Sequence, residues 1–202
     1  MKASHAAGPL DVSGLPSYAF GSRTPLWWAT LGLIAIEGTV FAGAVVSYFY
    51  LRSLAPQWPL RTPPPDLLWG TLNTLVMLAS LVPNYLVDRA ARAGQWAAMR
   101  RWLWVALAMA LVFLALRVLE FRTLNVRWDL DAYGSLVWLL LGLHTVHLLT
   151  DTFDTAVLGV LISTDPPEGR RRSDVSENAF YWYFVVASWL PIYAVLYWVP
   201  RF

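Results

Sequence analysis

The feature that most constrains this chain is a series of five apolar segments, each about as long as a membrane-spanning helix. They occupy residues 26–51, 67–88, 102–121, 134–162 and 179–199. A helix rises about 1.5 Å per residue, so even the shortest segment approaches the roughly 30 Å thickness of a hydrocarbon core. Only 14% of the 202 residues are charged, against about 25% in a soluble domain. We predict an all-α integral membrane bundle of five transmembrane helices.

The segment before the first apolar run reads as an arm. We predict a polar N-terminal arm over residues 1–25 and one transmembrane domain over residues 26–202. The arm lacks the short apolar run and cleavage site of a secretory signal peptide. Short loops rich in Lys and Arg stay on the cytoplasmic side. Nine basic residues lie in the arm and the second and fourth loops, and five lie on the alternate side. We therefore predict a multi-pass inner-membrane protein with a cytoplasmic N-terminus and a periplasmic C-terminus.

Aromatic residues cluster near the ends of the spans, as amphipathic rings do at a membrane–water interface. The cluster comprises Trp27, Trp28, Trp58, Trp69, Trp102, Trp128, Tyr181, Trp182, Tyr197 and Trp198.

The fifth span also carries a helix-entry signal, in which Asp174 caps the first turn and Glu177 reaches back to the free backbone amides. We expect Pro191 to kink this span.

Among the acids in the sequence, Glu37 lies where an ionisable group costs the most free energy. It lies near the middle of the first span, about 15 Å from its start, where an ionisable group costs at least about 2.5 kcal/mol. It could serve as a carboxyl that exchanges protons or faces a partner. It could equally be a protonated carboxyl that bonds a neighbouring helix. The sequence leaves both interpretations open.

Two histidines and two acids share one face of the fourth span. His144, His147, Asp151 and Asp154 fall within an arc of about 80°. They extend over about 15 Å of helix axis, so the four cannot all reach one ion. A pair of histidines with an acid from another helix could hold a divalent metal. We favour a packing face, with each histidine bonded to an acid such as Glu120 and both aspartates near the cytoplasmic headgroups.

Several kinds of site are excluded by residue type. The chain has no cysteine, which excludes iron–sulfur clusters, thiolate zinc sites and copper centres with a cysteine ligand. His144 and His147 lie on one side of one helix and cannot clamp a haem between them. Arg117 and Glu120 are spaced to pair within their own helix. The sequence has no basic surface interleaved with aromatic residues, so nucleic acid is not an expected partner. We predict no catalytic, cofactor-binding or metal-binding residue in this chain.

Four segments, at residues 36–52, 116–121, 142–147 and 177–198, resemble subunit III of haem–copper oxidases. The first falls on Glu37 and corresponds to the segment around that family's buried glutamate. The second is similar to the family's Leu-Gln-x-x-Glu-Tyr and the third to its Gly-x-His-x-x-His. The fourth is similar to its last helix. Order and spacing agree over about 165 residues.

The resemblance implies the short, five-helix bacterial form of this subunit, which lacks the first two helices of the seven-helix type. It implies a non-redox accessory subunit of a proton-pumping cytochrome c oxidase. Such a subunit packs directly on the haem-bearing subunit I, with subunit II in the same complex, and supports proton uptake and stability. Haem and copper would belong to the partner subunits, and this chain would bind phospholipid in a helical cleft. By the same resemblance, the cleft is lined by Glu37, Glu120, His144 and His147.

The sequence departs from the family pattern at two places. Tyr183 stands where the family's last helix has a histidine in Tyr-Trp-His-Phe, so any role of that histidine is lost. Asp151 and Asp154 stand where the family pattern is small or apolar. We interpret these two aspartates as charges near a proton entrance, in a divergent branch of the family.

Other functions fit the same sequence. One is the corresponding component of a quinol oxidase or a nitric oxide reductase. Another is a small metal or ion transporter that uses the histidines and aspartates of the fourth span. A third is an assembly or anchoring protein.

Overall fold

A computed structural model of the protein describes residues 25–164 and 169–202. This part of the chain contains five long helices: α1 (Pro25–Leu54), α2 (Leu67–Arg92), α3 (Trp96–Thr123), α4 (Ala132–Thr164) and α5 (Gly169–Tyr193). α5 continues into a π turn at Ala194–Trp198 and a 3₁₀ turn at Val199–Arg201. All five helical spans are long and apolar enough to cross a bilayer. The predicted all-α bundle of five transmembrane helices is confirmed. The predicted arm lies outside the described residues, except for Pro25, where α1 begins.

Helix boundaries extend beyond the apolar segments that predict them. α3 begins at Trp96 rather than 102, and α5 begins at Gly169 rather than 179. Hydropathy marks only the part of a helix inside hydrocarbon, whereas the helical backbone continues into polar surroundings. The predicted cap at Asp174 is therefore wrong, because α5 has already begun and Asp174 lies in its second turn. Its carboxylate is 3.8 Å from the Arg171 guanidinium.

The bundle is arranged around α5, which packs against α1, α2 and α4, while α3 packs against α2 and α4. Two tryptophans of α5 donate hydrogen bonds across to α2. Trp182 Nε1 lies 2.9 Å from Ser80 Oγ, and Trp189 Nε1 lies 2.8 Å from Thr74 Oγ1. A buried indole needs an acceptor for its N–H. These two bonds therefore fix how α5 is rotated against α2.

Large apolar side chains cover the outside of the bundle. Val82 of α2, Leu111 of α3 and Leu149 of α4 are each more than half exposed, at 62%, 55% and 52%. A continuous apolar exterior is unfavourable in water and is matched by lipid or by apolar protein. Inside, the helices satisfy their own backbone groups, as a span in hydrocarbon must. The chain is an integral membrane protein.

α1 is the least embedded helix. Its buried residues are Phe41, Ala44 and Tyr48, which all lie in its second half. The first half buries none of its residues and borders an open cleft together with α4 and α5.

Gly70 allows α2 to approach the end of α5, and alanine at this position should destabilise the bundle. A Cβ there would lie 2.6–2.8 Å from ring atoms of Tyr197. That ring is fully buried and cannot move without displacing its neighbours. We expect Gly70→Ala to lower the free energy of unfolding by roughly 1–3 kcal/mol. Unfolding of the detergent-solubilised protein by heat or SDS measures the change.

The control is Gly142→Ala in α4, where a new Cβ would meet nothing within 4 Å. Alanine is favoured over glycine in a helix by about 1 kcal/mol. The stability of this variant should stay the same or rise. Equal losses in the two variants would contradict the packing explanation.

Candidate functional site

A closed cluster of polar groups lies where α2, α3 and the end of α5 meet. Arg117 NH1 donates to Glu120 Oε2 at 2.7 Å, within the same helix. The amide of Asn73 donates to the same oxygen, and the Tyr197 hydroxyl donates to Glu120 Oε1. Arg117 and Glu120 are 1% and 2% exposed. The predicted pairing of these two residues is confirmed, and groups from three helices satisfy the carboxylate.

His144 connects this cluster to α5. Its Nε2 faces the carbonyl oxygen of Val185 at 3.1 Å, and its Nδ1 faces Arg117 NH2 at 3.4 Å. A carbonyl accepts only, and a guanidinium donates only. Nε2 therefore carries the proton, and Nδ1 accepts. The interpretation that each histidine bonds an acid is wrong for His144, because an arginine occupies that side of the ring.

A second cluster of polar side chains, formed by Glu37, His147 and Tyr181, joins α1, α4 and α5. Tyr181 donates its hydroxyl proton to Glu37 Oε2 at 2.7 Å, and His147 Nε2 lies 3.3 Å from Glu37 Oε1. His147 Nδ1 donates to the Leu143 carbonyl at 2.6 Å. The imidazole and the carboxyl can therefore bond only through a proton held between them, on one group or the other. His147 does bond an acid, as expected, and that acid is Glu37 rather than Glu120.

Next to this group lies an open cleft of about 550 Å³ between α1, α4 and α5. Its lining is part apolar and part acidic: Leu26, Thr30, Leu33, Glu37, Thr150, Asp151, Asp154, Val157, Leu158, Leu161, Asp174, Glu177, Asn178 and Tyr181. Of the four residues expected to line a cleft, the structure places only Glu37 there. Glu120 and His144 are enclosed in the other cluster, and His147 lies behind Glu37.

Asp151 and Asp154 meet in this cleft beside Asn178 of α5. The Asn178 amide nitrogen is 3.1 Å from Asp154 Oδ2 and 3.5 Å from Asp151 Oδ1. Thr155 donates to the amide oxygen of Asn178 at 3.2 Å. Asp151 is buried, whereas Asp154 is exposed. The two acids and Glu37 therefore lie along one cleft, although they come from different helices.

A metal site, the alternative interpretation of the fourth span, requires side-chain ligands that converge on one point. Within residues 25–164 and 169–202, no three His, Cys, Asp or Glu side chains are grouped so that they could hold an ion. His144 and His147 face Arg117 and Glu37, respectively, rather than a common point.

Three of the partners in these clusters were not predicted from the sequence. Asn73, Asn178 and Tyr197 each hydrogen-bond a buried or cleft-lining acid. The assignment of Tyr197 and Tyr181 to the membrane interface is wrong for their polar ends, because both hydroxyls turn inward to a glutamate. Asparagines within apolar spans were the available signal, since an amide there needs a partner.

The chain is similar to proteins of one known family. It matches the model of the family described as cytochrome c oxidase subunit III over residues 27–200. A cytochrome c oxidase subunit 3 from Thermostichus vulcanus is 28% identical over 178 residues, covering 85% of this chain and 88% of that protein. One from Synechocystis sp. is 27% identical over 177 residues, covering 85% and 74%. One from Alkalihalophilus pseudofirmus is 26% identical, covering 95% and 97%.

Removing the charge of Glu120 should strongly destabilise the bundle. Glu120→Gln leaves the Arg117 guanidinium buried without its counter-ion, which costs roughly 3–5 kcal/mol when one partner of a buried pair is removed. Adding Arg117→Met should recover part of the loss, because it removes the stranded cation. Unfolding in detergent measures both variants.

Asp129→Asn is the matched control, because it breaks an exposed ion pair with Arg127 in the loop between α3 and α4. The hydrogen bonds from Arg127 lower the pKa of Asp129, but both groups remain hydrated. Exposed pairs contribute little to stability, so this variant should unfold like the wild type. If Glu120→Gln behaved the same way, the closed cluster would not stabilise the bundle.

Proposed function

The chain belongs to the cytochrome c oxidase subunit III family, and we propose that it is the non-redox accessory subunit of a proton-pumping terminal oxidase in aerobic respiration. The match over residues 27–200 is the observation that carries this proposal, because it covers all five helices. In this role the chain packs directly on the haem-bearing subunit I, in a complex that also contains subunit II. Its apolar exterior supplies the surface for that contact within the membrane.

Haem and copper are assigned to the partner subunits. This chain has no cysteine and three histidines. His144 and His147, the two that lie in a membrane span, are engaged with Arg117, Glu37 and backbone carbonyls. The residues of this chain therefore serve packing, lipid binding and proton supply rather than electron transfer.

The end of the bundle at which the cleft opens indicates which side of the membrane it faces. The start of α1, the start of α5 and the end of α4 all border it, so its mouth lies at one end of the bundle. The Arg-rich segments 89–101 and 170–172 adjoin the same end, which the distribution of basic residues assigns to the cytoplasm. We place the N-terminus in the cytoplasm and the C-terminus in the periplasm of a bacterial inner membrane.

The cleft fits a bound phospholipid because it is amphipathic. Leu26 and Leu33 of α1 and Val157 and Leu161 of α4 form apolar walls, and polar side chains of α4 and α5 interrupt them. Lipid held there would fill the gap beside the first half of α1. That filling would stabilise the contact between this chain and its partners.

Asp151 and Asp154 lie in the cleft at the level of Asn178. Carboxylates at such a place raise the local concentration of protons and shorten the time to capture one. We propose that they supply protons to the uptake path of subunit I. Glu37, which Tyr181 and His147 contact, contributes through its burial where this chain meets its partner.

The first test is gentle detergent purification through a tag on this chain. We expect the reduced-minus-oxidised optical spectrum to contain haem a or haem o bands, together with a large multi-helix partner in mass spectrometry. A chain that emerges alone, colourless and carrying zinc or manganese would contradict the proposal and favour a metal transporter.

The second test concerns the two aspartates. Asp151→Asn with Asp154→Asn should slow proton uptake by the complex at high pH, where free protons are scarce, and leave the haem spectra unchanged. Stopped-flow uptake with a pH indicator measures the rate. Asp66→Asn with Asp129→Asn removes the same number of charges from exposed positions at the other end of the bundle and should have no effect. Unaltered uptake in the first variant would rule out the proton-supply role.

A further inference from the structure

A small cavity lies between the four helices α2, α3, α4 and α5. Its volume of about 10 Å³ is close to the room that one water molecule needs. α3 contributes apolar side chains to its wall, among them Ala106 and Ala110, and each of the other three helices contributes polar ones. An apolar cavity stays dry, whereas a cavity with several polar groups holds water. The polar groups of the lining therefore decide what this cavity binds.

Asp151 of α4 is the acid of this cavity. It is only 3% exposed, and together with Asn178 it forms the part of the wall that the cavity shares with the open cleft. Among the described residues, Asn178 is the only one whose side chain hydrogen-bonds Asp151. That contact is 3.5 Å, longer than the roughly 2.7–3.2 Å of an ordinary N–H···O bond. A buried carboxyl with so little support needs a further hydrogen-bonding partner.

Two side chains of α2 present unused hydrogen-bonding capacity to the same cavity. Asn84 has two N–H donors on its amide, and the Ala179 carbonyl accepts one of them at 2.9 Å. The Ser80 hydroxyl donates to the Met77 carbonyl and accepts from Trp182, so one of its two acceptor positions remains. Ser80 and Asn84 are 3% and 5% exposed, so bulk solvent does not complete these bonds.

We propose that the cavity is a binding site for one ordered water, which joins Asp151 of α4 to Ser80 and Asn84 of α2. The water accepts from the Asn84 amide and donates to the Ser80 hydroxyl and to the Asp151 carboxyl. About three hydrogen bonds are typical of a buried water. The site does not depend on the proposed function, because it concerns how the helices of this chain are held together.

The water links two helices that have no direct hydrogen bond to each other. α2 and α4 each pack against α3 and α5, and no hydrogen bond among the described residues joins α2 to α4. The water supplies that connection through the middle of the bundle. It also holds the Asp151 carboxyl at the wall between the cavity and the cleft, so it acts as a positioning partner for this residue.

High-resolution electron cryo-microscopy tests the site directly. The protein is purified in mild detergent through a tag on this chain, together with any subunits that copurify. We expect one density peak within about 3 Å of the Asp151 carboxyl and of a polar atom of Ser80 or Asn84. A map that resolves other buried waters and has no peak in this cavity would overturn the proposal.

Two variants of nearly equal shape test the energetic role of the water in the same preparation. Ala110→Val and Ala110→Thr both fill the cavity and displace the water, but only threonine brings a hydroxyl in its place. We expect both to unfold at a lower temperature than the wild type. The threonine variant should unfold about 2–4 °C above the valine variant, which is the shift that one hydrogen bond gives in a chain of this size.

The same two substitutions at Ala44 of α1 are the matched control. Ala44 is buried in the apolar core and does not line the cavity. A threonine hydroxyl can bond the carbonyl four residues back at either position, so the comparison removes that contribution. At Ala44 the threonine variant should be no more stable than the valine variant.

Two results at Ala110 would contradict a bound water. If Ala110→Val unfolds at or above the wild-type temperature, the cavity is a dry void that a methyl group fills with gain. If Ala110→Val and Ala110→Thr unfold at the same reduced temperature, the loss comes from overpacking alone, and no polar group is needed at this place.

Discussion

The bilayer core contains no water, so the polar groups of a span are stabilised chiefly by partners inside the protein. Both oxygens of Glu120 have such partners. Its carboxylate accepts from an arginine of its own helix, an asparagine of α2 and a tyrosine beyond α5. Because three helices contribute, the cluster joins them as well as satisfying the acid. The helices cannot slide without stranding a charge.

The two polar regions of the bundle solve this problem in opposite ways. The cluster around Glu120 is closed, and its guanidinium stacks 4.2 Å from the Trp189 ring, so a cation, an anion and an aromatic face compensate one another. The cleft region around Asp151 is open, and the amide of Asn178 serves both aspartates. A closed cluster is suited to holding helices together, whereas the open cleft leaves Asp154 accessible from outside the bundle.

α5 links these regions and determines their separation. Tyr181 bonds Glu37 on the cleft side, and the Tyr197 hydroxyl reaches Glu120 on the other. Trp182 and Trp189 between them bond to α2. α5 and the π turn that continues it thus carry partners for both acids, and α5 also borders the cleft together with α1 and α4.

The five spans, the membrane environment and the family follow from the sequence alone, because apolar length and motif order are visible along the chain. It also identified the acids that need partners and paired Arg117 with Glu120 across one helical turn. The fold was needed to show that Glu37 bonds His147 and Tyr181, that His144 faces arginine, and that Asp151 lines the cleft. Which buried groups meet depends on the rotation and spacing of helices distant in the chain, and no local pattern encodes that geometry.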